Sequence, residues 1–137
     1  MTKKTRIDDK IEEIENYLNI LSEIVPGNIE EYKSNYEKKW SCERGFESII
    51  ESLTDLAFLI IKEKQLKKPE DDLNSFEILA NNNIISEELC RKLKQAKGMR
   101  NIIAHEYGKI DDEIVFEALI EQLEKDTKDF IKEIRGL

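Results

Sequence analysis

The 137-residue chain has one histidine, one tryptophan, two cysteines, two prolines and five glycines. So few prolines and glycines leave little to break helices and few of the turn residues on which small all-β folds depend. Cys42 and Cys90 lie far apart, and with only His105 beside them they have neither the number nor the spacing of a metal-ligand set. No metal or other cofactor is expected, and both thiols read as small, partly buried helix residues and not as a disulfide. No stretch approaches the ~20 apolar residues of a membrane span. The opening Met1-Thr2-Lys3-Lys4 leads into charged helix and not into the apolar region of a signal peptide. A cytoplasmic protein without a membrane partner is expected.

What is abundant is charge. Charged residues make up 38% and hydrophobic residues 39%, enough apolar side chains for a core and enough charge to solvate the outer faces of helices. A chain of this length fits one domain, read here as residues 1–137. The net charge of −8 argues at first against a polyanionic partner. Between Arg91 and Lys109, however, Arg91, Lys92, Lys94, Lys97, Arg100 and Lys109 face a single acid, Glu106. Such a stripe on an acidic body can hold a polyanion at one place and repel it elsewhere, although lysines and arginines also collect at helix ends for dipole and solvation reasons.

Hydrophobic periodicity places the helices. Ile7, Ile11, Ile14, Leu18, Leu21 and Val25 recur at three- and four-residue steps up to Pro26-Gly27, predicting a first helix over Ile7–Ile24. A second helical region runs from Ile29 to about Leu66, with an interruption expected around Ser41 to Gly45. Its inner face is Phe46, Ile49, Ile50, Leu53, Leu56, Ala57 and Ile60, and the all-apolar run Leu56–Ile61 predicts a central position. After a polar linker containing Pro69, a short helix is expected over Ser75–Ala80, closed by Asn81-Asn82-Asn83. Ser86 is a natural N-cap for the next helix, and Asp111 or Asp112 opens the last one, with Phe116, Leu119, Ile120, Leu123, Phe130 and Ile134 as its stripe. The expected fold is all-α, an up-and-down bundle of four main helices plus one short helix.

The most chemically suggestive stretch is Arg100-Asn101-Ile102-Ile103-Ala104-His105-Glu106-Tyr107. Arg is permanently cationic and its planar fork matches phosphate oxygens, whereas His moves protons near neutral pH. On a helical wheel Asn101 lies ~100°, His105 ~140° and Tyr107 ~20° from Arg100, so the four share one broad arc, with Met99, Ile102 and Ile103 opposite. Convergence of Arg100 and His105 on one phosphate needs the long Arg stem or a loosened last turn, which Gly108 as a helix stop would allow.

This string, an Arg-x4-His pair with Asn directly after the Arg and Tyr two after the His, resembles the signature of the HEPN superfamily, and within it the HepT-like toxins. The likeness runs nearly the whole length, through Ile7–Leu21, Ala57–Ile61 and Phe76–Leu79 to the motif itself. The resemblance implies an all-helical ribonuclease toxin paired with an MntA-type nucleotidyltransferase antitoxin. It makes Arg100 and His105 the catalytic residues and Asn101 a supporting one. It also implies that Tyr107 receives AMP from the antitoxin. Bulk and phosphate charge at that place would oppose an RNA phosphate. Lys94, Lys97 and Lys109 are candidate RNA contacts.

The chemistry is self-consistent. In metal-independent RNA cleavage the 2′-hydroxyl attacks the adjacent phosphate, one group takes its proton and another protonates the departing 5′-oxygen. Arg100 would stabilise the phosphoryl charge. A single histidine cannot be base and acid at once, so a homodimer that brings two copies of the motif together is expected, on chemical grounds and by the resemblance. Two further constellations stand out. Tyr32, Tyr36 and Trp40 recur every four residues among Lys33, Lys38 and Lys39, as either an RNA-stacking stripe or a core or interface stripe. Glu51 and Asp55, one turn apart, could orient Arg100 or His105 or simply form a solvated, salt-bridged face. The competing function is a non-catalytic helical module that binds and assists a nucleotidyltransferase.

Overall fold

A computed structural model describes residues 5–105, 108 and 110–136. Its elements are α1 (Arg6–Ile24), α2 (Ile29–Ser34), α3 (Tyr36–Glu63), α4 (Asp72–Asn81), α5 (Glu87–His105), α6 (Asp112–Glu117), a π-helical turn (Ala118–Gln122) and α7 (Leu123–Arg135). The fold is all-α. Each start follows from local chemistry. Thr5 and Asp8 form a reciprocal capping box on α1, Asn28 accepts from the Glu31 amide at 2.8 Å, Asp71 from Asn74 at 2.7 Å and Ser86 from Leu89 at 3.1 Å. Asp111 accepts from the Glu113 and Ile114 amides. Each cap satisfies one or more of the amides that a helix start leaves open.

α3 is the centre of the bundle. It packs against α1, α2, α4 and α5 and buries Phe46, Ile49, Ile50, Leu53, Leu56, Ala57, Ile60 and Ile61, as expected of its apolar run. The interruption expected at Ser41–Gly45 lies instead at Asn35, whose side chain caps α3 by accepting from the Lys38 amide at 3.1 Å. Gly45 stays helical and has a packing reason: a Cβ there would sit 3.0 Å from Leu21 Cδ1, so its bare backbone lets α1 approach α3. Among the described residues α2 and α6, of six residues each, are short beside the expected α4, because Asn35 divides the second helical region and a π-helical turn divides the last.

α4 runs antiparallel along α5, with Asp72 beside Lys97 and Glu77 beside Lys94. It spans more than the expected Ser75–Ala80, and its turn to α5 uses Asn83 at φ 60°, the left-handed conformation that Asn tolerates. The last helical region opens at Asp111 but is divided by the π-helical turn before α7. Among the described residues no helix is long and apolar enough to cross a membrane. Cys42 and Cys90 are buried and unbonded, and burial pushes the Cys42 thiol up to about 11, which suits packing more than reactivity.

Candidate functional site

Of the motif, Arg100–His105 occupies the last two turns of α5. Leu89, Cys90, Leu93, Lys97 and Ile103 form the buried side of this helix, while Asn101 and His105 are exposed. The expected separation into two arcs needs two corrections. Ile102, placed with the core residues by the wheel, is 40% exposed and stands on the side of His105. Arg100, placed on the open arc, turns inward toward α3, its side chain 19% exposed. The reason is that long cationic stems bury readily when a carboxylate meets the head group. α3 and α4 both supply carboxylates, and this rotates the inward face of α5 toward Lys97 and Arg100.

Around Arg100 the geometry is specific. Its Nη2 forms an ion pair with Glu51 Oε1 on α3, and its Nη1 donates to Asn101 Oδ1 at 3.2 Å. Nε is buried without a partner. Asn101, expected as a supporting residue, is thus bonded to the guanidinium. Of the two carboxylates singled out on α3, Glu51 takes Arg100, whereas Asp55 lies 3.6 Å from Lys10 Nζ on α1. His105 is the last residue of α5, five residues and so ~7.5 Å along the axis from Arg100.

The lysines of the stripe are largely engaged. Lys97 Nζ lies 3.0 Å from Asp72 with its side chain 8% exposed, Lys94 is 3.4 Å from Glu77 and Lys92 is 3.4 Å from Glu88. An RNA contact from Lys97 requires breaking its pair with Asp72. Sequence reasoning missed Asp72 and Glu77 as partners, having read the first as linker; an acidic first turn facing a basic stripe was the available signal. Asp71, Asp72, Leu73, Lys97, Arg100 and Asn101 line a shallow groove of about 420 Å³. Tyr107 and Lys109 lie outside the described residues, as does Glu106.

The aromatic stripe divides. Tyr32 is fully buried, its ring 5.2 Å from that of Phe116, whereas Tyr36 and Trp40 are 68% and 70% exposed. Among the described residues no group of three His, Cys, Asp or Glu could hold a metal ion.

Comparison with known proteins gives this geometry a context. The chain is similar to the mRNA nuclease HepT of Shewanella oneidensis, at 31% identity over 112 residues that span 82% of this chain and 84% of the relative. It is similar also to the tRNA nuclease HepT of Aphanizomenon flos-aquae, at 27% over 113 residues, 82% of this chain and 77% of the relative. Among solved structures it superposes with a TM-score of 0.89 and 28% identity, over the full length of both chains, on a tri-AMPylated Shewanella oneidensis HEPN toxin in complex with its MNT antitoxin. The Ribonuclease HepT-like family matches residues 8–134. An all-helical chain with an Arg-x4-His helix end, matched by that family over nearly its whole length, belongs to the Ribonuclease HepT-like family.

Proposed function

We propose that the chain is a metal-independent endoribonuclease and the toxin of a toxin–antitoxin pair. The observation that carries the reading is the end of α5. There Glu51 and Asn101 hold the guanidinium of Arg100, and an exposed His105 lies five residues on. In this reading Arg100 stabilises negative charge on the phosphoryl oxygens while the 2′-hydroxyl attacks and the 5′-oxygen leaves, closing a 2′,3′-cyclic phosphate. Proton transfer falls to His105. One imidazole supplies one proton-transfer group at a time, so the second comes from a partner copy across a twofold axis. The names of the relatives, nucleases for mRNA and tRNA, support RNA as substrate.

The test is cleavage of RNA in EDTA by wild type, Arg100→Ala and His105→Ala. Wild type is expected to cut and each variant to lose at least ~10²-fold, the usual contribution of one such group. Equal cleavage by all three points to a contaminant. No cleavage by wild type that is free of both the nucleotidyltransferase and AMP, yet still binds the nucleotidyltransferase when it is added, supports the non-catalytic module.

The similarity to an AMPylated toxin held by its antitoxin supports a second part of the reading. Tyr107 is the AMP acceptor: its phenol oxygen attacks the α-phosphate of ATP bound to the nucleotidyltransferase, and pyrophosphate leaves. The added phosphate and adenosine then occlude the site and repel RNA. Incubation with the cognate nucleotidyltransferase and ATP should add the mass of AMP to wild type; the same gain on Tyr107→Phe would place the acceptor elsewhere.

A further inference from the structure

An arginine that must meet a phosphate has a long stem to control. Left free, its guanidinium samples many orientations, and each one frozen at binding costs entropy. Arg100 is not left free. Nη2 is taken by Glu51 from α3 and Nη1 by Asn101 from α5, so the plane of the fork is set by two elements at once. Glu51 is well placed to be the fixed point, because Ile50, Ser52 and Leu53 around it are buried in the core, while its own side chain is 46% exposed. The neighbouring carboxylate offers no substitute, since Asp55 is directed to Lys10.

We propose that Glu51 is a positioning residue for the reaction read above, acting through Arg100. It holds Nη2 so that the guanidinium meets the phosphate in one orientation instead of searching for it. The proposal rests on that reading of the site for its kinetic consequence, but its structural content, a guanidinium immobilised by Glu51, stands apart from it.

Two measurements test it. Kinetically, Glu51→Ala should lower kcat about 10²-fold with KM changed by less than about threefold, as expected when a group is misaimed and not removed. Glu51→Gln, which keeps an acceptor oxygen, should recover part of the loss, and Asp55→Asn should cleave like wild type. In an Arg100→Ala background, Glu51→Ala should cost nothing more, because its effect passes through Arg100. Wild-type kcat in Glu51→Ala, or a full additional loss on top of Arg100→Ala, overturns the proposal.

The second measurement needs no activity. The side-chain Nε–H signal of Arg100, identified by its absence in Arg100→Lys, should be slow to exchange in wild type and broadened or lost in Glu51→Ala. An identical signal in the two proteins overturns the proposal whatever the enzyme does. If wild type cuts no RNA, the functional reading falls and this signal alone decides the role of Glu51.

Discussion

Glu43 is the residue whose placement costs the fold most visibly. Its carboxyl is partly buried where α2, α3 and α6 meet, and Oε2 has no partner. Burial is the main cause that raises its pKa; the charges of Asp112 and Glu47 raise it further, and the Lys39 ammonium opposes them. Lys39 is itself engaged by Asp112 at 2.9 Å. The Tyr32 phenol beside them is also pushed up, again chiefly by burial, and its hydroxyl lacks a partner. A carboxyl raised in the folded state favours folding below its unfolded value, and that contribution disappears as pH rises through the folded value. At neutral pH, ionised Glu43 therefore weighs against folding. Glu43→Gln removes the charge and supplies an amide donor to neighbouring oxygens. Its melting temperature at pH 7 should exceed that of wild type by roughly 2–5 °C, the effect of relieving about 1 kcal/mol of unsatisfied polar burial in a chain of this size. The gap should close as the pH falls toward 4. An equal or lower melting temperature at pH 7 would contradict this account.

At the scale of elements, the starts at Ser86 and Asp111 were legible because they rest on local chemistry, each side chain bonding amides within three residues. Thr5 and Asp71 cap in the same way but went unread, Asp71 because it lies in what looked like a polar linker, while the apolar spacing of α1 and α3 marks their buried faces without knowledge of the neighbours. What was not legible depends on partners distant in sequence. Gly45 looks like a helix breaker until Leu21 is seen against it. The π-helical turn inside the last helical region has no signature in the spacing of Phe116, Leu119, Ile120 and Leu123. The site shows the same division. Arg100, Asn101 and His105 were legible as a motif on one helix, and Glu51 was one of two carboxylates within reach. The inward turn of Arg100 and the capture of Lys97 by Asp72 were not, because a helical wheel ranks faces by hydrophobicity and takes no account of ion pairs that draw a cation inward.

For the molecule as a whole, net charge and surface argue together. With a formal charge of −8, and with Lys92, Lys94 and Lys97 each beside a carboxylate, one chain offers RNA little long-range attraction. Much of the work of holding substrate must then fall on the site itself. In the proposed dimer that site is doubled, and the exposed Ile102 beside His105 is the apolar surface that a twofold partner would cover. Covering the exposed 40% of Ile102 contributes on the order of 1 kcal/mol per copy, and symmetry counts it twice, so Ile102→Asp, which would also bury a carboxylate, should weaken dimerisation by about 10-fold or more. Sedimentation of the variant should show monomer at concentrations where wild type is dimeric. Cleavage per chain should fall in proportion and recover as protein concentration rises, because the chemical groups are intact. Melting of the isolated chain should change little, since Ile102 contributes little to its core. A variant that remains dimeric and cuts RNA like wild type would place the twofold interface on another face, and the second histidine would have to reach the phosphate from there.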